Sequence, residues 1–298
     1  MGNANPNLKS ISSTSTVNAL LLGISTCMKL LSILFPLLSF MSRMDSKLSA
    51  SSADSATNGE APASPSIESR HINILMIRHG RSLGNDLMDQ PGNRWGDPEF
   101  RDDASLLDAS LSEVGVRQAQ ELSSLTGGLQ DMAKVELVVV SPLTRTLQTM
   151  QHAVLPQLPN DVPIIVHPLS TERVYTASDT GRRVSELRAE FDDSRINFDL
   201  VAEDTNWWFH TDNPSADWRP CDAQQWYAVP GEPQDVFEAR LDKFEEWLAT
   251  RPEKYICLVS HWAVLRHLTG GTNFGNCEAQ WIKWQPKHVR EATGNRHW

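Results

Sequence analysis

Four short apolar runs constrain this fold more than any other feature. Ile72–Ile77, Val135–Val140 (VELVVV), Pro163–Val166 (PIIV) and Tyr255–Val259 (YICLV) are each bounded by turn or helix signals. A strand reads as a near-continuous apolar run when both of its faces are covered. Helix patterns lie between the runs. Ser110-Leu-Ser-Glu113 is a capping-box start for a helix through about Leu125, closed by Gly127-Gly128. Ser141-Pro142 opens a second helix, with Ser141 as cap and proline in the first turn. Val236, Phe237, Leu241, Phe244, Trp247 and Leu248 recur at helical spacing. A further helix runs to Leu268 and ends at Gly270-Gly271. Strands alternating with helices predict an α/β fold with a mainly parallel sheet.

In such sheets ligands bind beyond the carboxyl ends of the strands. The first run ends at Arg78-His79, the second enters Ser141-Pro-Leu-Thr-Arg145, and the fourth ends at Ser260-His261. Glu172-Arg173 follows closely on the third. Two arginines, two histidines and a glutamate are therefore expected at one edge of the sheet. A neutral imidazole is a nucleophile toward phosphorus. Arg78 and Arg145 each present forked donors to phosphoryl oxygens. A protonated His261 would add a donor and charge. Glu172 lies where a carboxylic acid can protonate a leaving oxygen and later take a proton from water. This inventory suits phosphoryl transfer, which is mostly positioning and charge stabilisation. It needs no metal and no cofactor, because the arginines supply the charge.

The same residues resemble the histidine phosphatase superfamily, also called phosphoglycerate mutase-like. Its RHG hallmark is Arg78-His79-Gly80, and its polar residue six positions after the histidine is Asn85. Its helix-start motif is Leu111-Ser-Glu-Val-Gly115-Val-Arg-Gln118-Ala119. Its SP-x-x-R-x-x-Q-T motif is Ser141-Pro142-Leu-Thr-Arg145-Thr-Leu-Gln148-Thr149. Its late histidine motif is Ser260-His261, with Arg266 following on the helix. The resemblance covers roughly Asn73 to Trp284. It implies a three-layer αβα sandwich, a phosphohistidine on His79, and a phosphoryl group held by Arg78, Arg145 and His261 with Asn85 beside it. Glu172 is the best match to the acid, with Glu203 and Asp204 as weaker candidates. Glu172-Arg173-Val174-Tyr175 is similar to the E-R-x-Y of mutases, but the residues after Tyr175 depart from that pattern. Arg182 and Arg183 either grip a second anionic group or are exposed loop charges. The expected activity is a metal-independent phosphatase acting on a small phosphorylated molecule. The rivals are a phosphomutase using the same site and a non-catalytic phospho-ligand-binding module.

Charge narrows the partners. The 298 residues carry a formal net charge of -10, which disfavours nucleic acid. Residues 1–70 hold five Lys/Arg and four Asp/Glu, so residues 71–298 carry a net -11 and any anion site there is a local concentration of arginine. The four cysteines show no paired spacing that would suggest zinc or a disulfide framework.

The chain divides by composition into residues 1–70 and residues 71–298, the latter expected to be the catalytic domain. Residues 18–41 (NALLLGISTCMKLLSILFPLLSFM) are long enough to cross a bilayer, though Lys29 and Pro36 interrupt them. A secretory segment, an organellar targeting segment and a buried core helix are the other readings. Membrane contact is expected through this stretch alone. Residues 42–70, rich in Ser, Ala and Pro, read as a linker. Trp207, Trp208, Trp218 and Trp226 form either part of a lid over the site or the packing of an irregular insertion.

Overall fold

A computed structural model describes residues 71–93, 103–124, 129–203, 206–208, 218–221, 224–227 and 231–292. The apolar stretch 18–41, the linker 42–70, Gly127-Gly128 and Asp204 lie outside them. Among the described residues, no helix is long and apolar enough to cross a membrane.

The four apolar runs are strands: β1 (Ile72–Arg78), β2 (Leu137–Val140), β3 (Ile164–Val166) and β7 (Tyr255–Ser260). Two more join the same sheet, β4 (Ile196–Asn197) and β8 (Ala279–Trp284), in the order β4-β3-β2-β7-β1-β8. All neighbours are parallel except β8, which runs antiparallel to β1. β5 (Trp218–Cys221) and β6 (Gln224–Tyr227) form a separate antiparallel hairpin. The sequence signal missed β8 because its residues are mostly half-buried, as on an edge, so no continuous apolar run marks it.

Alternation along the central strands divides the core into two faces. Leu75 and Ile77 of β1, Val138 and Val140 of β2, and Cys257 and Val259 of β7 pack on one side. They meet helix α2 (Glu113–Ser124) through Ala119 and Leu122, and α3 (Thr144–Thr149) through Leu147. Ile72, Ile74, Met76, Leu137, Val139, Ile256 and Leu258 face the other way. There they meet α5 (Gln234–Thr250), through Phe237, Leu241, Phe244 and Leu248, and α6 (Trp262–Leu268), through Val264, Leu265 and Leu268. Burying each such side chain contributes about 1.5–3 kcal/mol, which explains why the strands carry almost no polar residues. The result is the expected three-layer α/β architecture with a mainly parallel sheet. Three short helices complete it: α1 (Leu83–Met88), α4 (Val184–Glu190) and α7 (Lys287–Ala292).

Two predicted caps are corrected. The Ser110–Glu113 box does not open α2. Ser112 is the capping residue, its Oγ accepting from the Gly115 N–H at 3.3 Å. Ser141 does not cap α3, whose N-cap is Leu143 without a side-chain bond. The Ser141 hydroxyl bonds to the imidazole Nε2 of His261, at 2.8 Å, and accepts from the Leu143 N–H, just ahead of the helix, at 3.4 Å. The hydroxyl's shorter bond is to a residue 120 positions away, which sequence spacing cannot show.

Candidate active site

Strand order brings the predicted residues together. β2, β7 and β1 are adjacent, so Ser141, His261 and His79 leave neighbouring strand ends. The register pairs Arg78 with Ser260 and Val140 with Val259. At this edge lies a cavity of about 410 Å³, whose walls include Arg78, His79, Asn85, Arg145, Glu172 and Asp179.

His79 is held by its backbone on both sides. Its N–H donates to the Ser260 carbonyl at 3.0 Å, and the Gly80 N–H donates to Thr149 Oγ1 at 2.9 Å. Its Nδ1 lies 2.7 Å from the Gly80 carbonyl. A carbonyl only accepts, so Nδ1 carries the proton and Nε2 keeps its lone pair. Burial, reinforced by Arg145 and Arg78, pushes the imidazole pKa well below its ordinary value. His79 is thus a neutral base of fixed tautomer.

The loop after His79 is clamped by both motif helices. The Arg81 N–H donates to Gln118 Oε1 at 2.9 Å, and the Arg81 carbonyl accepts from the Ser112 N–H at 2.9 Å. A Cβ added at Gly115 would lie 2.0 Å from that carbonyl, so only glycine admits the approach. Gln148 Oε1 accepts from the Leu111 N–H at 2.7 Å. The motif spacing is therefore a set of ties between loops.

The two arginines differ. Arg145 is nearly buried, and donates to the Ser178 carbonyl and, at 2.9 Å, to Asp179 Oδ1. Arg78 donates to the Phe274 carbonyl at 2.8 Å, while its buried Nε has no partner. A buried orphan donor costs energy that an anion would recover. Asn85 lines the cavity and uses its Oδ1 to accept from the Ser82 N–H at 3.1 Å, completing the capping box of α1.

Glu172 sits across the cavity wall on the loop after β3. Its Oε1 accepts from the Arg173 N–H at 2.9 Å and its Oε2 lies 3.4 Å from the Ala263 N–H. Burial, then the charge of Asp179, raises its pKa and favours the protonated acid. Asp179 lies in the same wall but accepts from Arg145, the Tyr175 and Thr176 N–H groups and the Thr176 hydroxyl. Those donors occupy both carboxylate oxygens of Asp179, whereas Glu172 accepts from two backbone N–H groups alone.

Other candidates fall elsewhere. His261 lies behind His79, with ring centroids 5.1 Å apart, and is fully buried instead of lining the cavity. Burial and the nearby cations hold it neutral as well, so the added donor and charge conditional on its protonation are not supplied. Its buried Nδ1 has no partner. Arg182 turns away from the cavity to Asp108 at 3.1 Å and to Glu190, and Arg183 is exposed. Neither lines the cavity, because Asp108 and Glu190 claim the one and solvent the other. Glu203 pairs with Arg188 at 3.3 Å, away from the site. Trp207 and Trp208 are buried in the core, 5.2 Å apart edge to face, with the Trp207 Nε1–H donating to the Arg182 carbonyl at 2.9 Å. They are packing and not a lid.

Sequence reasoning missed what holds Glu172. Arg240 of α5 and Glu232 form a buried ion pair at 2.7 Å. The same guanidinium donates to the carbonyls of Leu169, Thr171 and Glu172 at 2.9–3.0 Å. It lies 68 residues beyond Glu172, with no local signal linking them.

The chain matches the histidine phosphatase superfamily (branch 1) over residues 74–290, more than two thirds of its length, and belongs to that superfamily. It is 26% identical over 231 residues to a phosphoglycerate mutase-like protein of Arabidopsis thaliana, covering 69% of this chain and 76% of that protein. Among solved structures, it is similar to the alpha-ribazole phosphatase of Shigella flexneri (21% identity, 72% and 96% of the two chains, TM-score 0.39). It is also similar to the phosphoglycerate mutase of Thermus thermophilus (16% identity, 72% and 94%, TM-score 0.37).

Proposed function

We propose that the chain is a metal-independent phosphohydrolase that turns over a phosphomonoester through a phosphohistidine on His79. One observation carries the reading: the Nδ1–H bond to the Gly80 carbonyl leaves Nε2 as a lone-pair nucleophile inside an arginine-walled cavity. In the first step Nε2 attacks phosphorus and the bond to the leaving oxygen breaks. Glu172 gives its proton to that oxygen. The new N–P bond makes the ring cationic, and Nδ1–H stays bonded to the Gly80 carbonyl. Arg78 and Arg145 offset the charge on the phosphoryl oxygens. In the second step water loses a proton to the Glu172 carboxylate and attacks phosphorus. The N–P bond breaks, phosphate leaves, and both groups return to their starting states.

Asn85 is assigned to the phosphoryl pocket, and His261 to its support from behind. Arg182 and Arg183 are not assigned to substrate. The test uses the full-length chain in EDTA with an aryl phosphate and a panel of alkyl phosphates. Turnover with an acid-labile, base-stable phosphoenzyme, absent in His79→Ala, is the expected result. Phosphoryl transfer to an added hydroxyl acceptor in preference to water would favour the mutase. Tight binding of phosphate esters with no turnover and no labelled histidine would favour the binding module.

A further inference from the structure

A second cavity, of about 880 Å³, adjoins the first and shares Arg173, Tyr175, Trp262 and Ala263 with it. It extends between α5 and α6 toward Gly270 and Gly271. The smaller cavity holds the phosphoryl chemistry, and together they exceed what a phosphate on a short alcohol would fill.

The shared rim has a distinctive construction. The Arg173 guanidinium stacks on the Tyr175 ring at 4.6 Å, and that of Arg266 stacks on Trp262 at 5.5 Å. Trp262 is 41% exposed, the one large aromatic among the exposed hydrophobic side chains of the described residues. Four cations line the larger cavity against a single acid, Glu238. Lys287 is offset by Asp242 at 3.6 Å and Arg290 by Glu245 at 3.1 Å. Arg173 and Arg266 have no carboxylate partner among the described residues. Arg173 donates to the Glu232 carbonyl and the Gln234 amide oxygen, and Arg266 to the Gly271 carbonyl and the Asn273 amide oxygen. Neutral acceptors orient both guanidinium groups and leave their charge unspent. An exposed aromatic beside two uncompensated arginines is the surface that a flat, anionic group recognises.

We propose that this groove is a substrate subsite for a planar, aromatic moiety carrying a second anionic group, with Trp262 and Tyr175 as stacking faces and Arg266 and Arg173 as anion contacts. This rests on the phosphohydrolase reading and narrows its substrate to a phosphomonoester that continues past the leaving oxygen into an acidic aromatic part. The role of gripping a second anion, open for Arg182 and Arg183 in the sequence, passes to Arg266 and Arg173.

The test compares two substrates on the full-length chain, 6-carboxy-2-naphthyl phosphate and its neutral carboxamide. The wild type is expected to prefer the acid about tenfold in kcat/KM, the scale of one charge-assisted contact. The ratio should fall to near one in the Arg173→Gln/Arg266→Gln double variant and recover in part with Arg266→Lys. Trp262→Ala should lower kcat/KM for both naphthyl substrates relative to 4-nitrophenyl phosphate. A structural defect would depress all substrates together and leave the ratios intact. A ratio near one in wild type, or one unchanged in the double variant, overturns the subsite. If no phosphate ester turns over, the hydrolase reading fails. Calorimetry with the matching aryl methylenephosphonates then decides the subsite, by the same acid-to-amide ratio in binding.

Discussion

The two sides of the catalytic cavity are built by different means. On the nucleophile side, His79 is gripped through the backbone, by the Ser260 carbonyl and Thr149 Oγ1, and its loop is clamped by Ser112 and Gln118. Those partners lie on the end of β7 and on the two helices that pack on one face of the sheet, α2 with its capping residue and α3. On the acid side, Glu172 rides a loop whose carbonyls are gathered by one guanidinium from α5, itself held by buried Glu232. His79 is placed by many neutral bonds and Glu172 by one buried charge pair. Redundancy on one side and a single keystone on the other mean that the two sides should fail differently.

The largest effect expected is on the nucleophile itself. His79→Ala should reduce turnover by about 10⁴-fold or more and abolish the phosphoenzyme, with little loss of stability in urea melts. The acid side should break more readily at a distance. Arg240→Ala leaves Glu232 buried and unpaired and should cost about 3–5 kcal/mol in denaturant unfolding. The pair replacement Arg240→Met/Glu232→Leu should recover much of that stability without restoring kcat on alkyl phosphates. Recovery of both would show that the pair is not needed to position Glu172.

Glu172→Gln should separate substrates. Loss of about 10²–10³-fold is expected on alkyl phosphates, whose leaving oxygen needs a proton, and far less on 4-nitrophenyl phosphate. The raised pKa of Glu172 sets the pH profile: the acid form is lost as pH rises, so alkyl-phosphate turnover should fall on an alkaline limb above the ordinary glutamate range. Glu172→Gln should erase that limb; a limb that persists assigns the acid elsewhere.

The smallest effect concerns support for Arg145. Buried Asp108 accepts from the Thr144 N–H and hydroxyl and from Arg182, and burial pushes its carboxyl from 3.8 up to about 6. Between those values the unfolded chain sheds its proton before the fold does. Stability should therefore be greatest below about pH 4 for this group and fall as pH rises toward 6, by about 3 kcal/mol at most. Asp108→Asn should flatten that component in urea titrations across the window; an unchanged slope would assign it to other groups.

What was legible in the sequence follows from how local each signal was. RHG and the SP-x-x-R-x-x-Q-T motif could be read because each packs several loop ties into one stretch of chain. Ser141, Thr144, Arg145, Gln148 and Thr149 between them bond four other segments of the chain, Thr144 and Gln148 sharing the loop of Asp108 and Leu111. Arg182 and Arg183 stayed open between two readings because an arginine in a loop carries the same letter whether it faces a ligand or Asp108. The indoles of Trp207 and Trp208 suggested a cover as much as a core, and burial against the sheet's helical layer decided for the core.

The sequence by itself determined the strands, because surfaces covered on both sides leave continuous apolar runs. It also brought Arg78, His79 and Arg145 to one cavity, because parallel strands carry whatever follows them to one edge. Only the tertiary structure decided the rest. Asp179 locks Arg145, Arg240 and Glu232 gather the loop of the acid, and Arg173 and Arg266 flank the adjoining groove. These are contacts between residues far apart in the chain, and their geometry depends on how helices and loops pack, which no short-range pattern encodes.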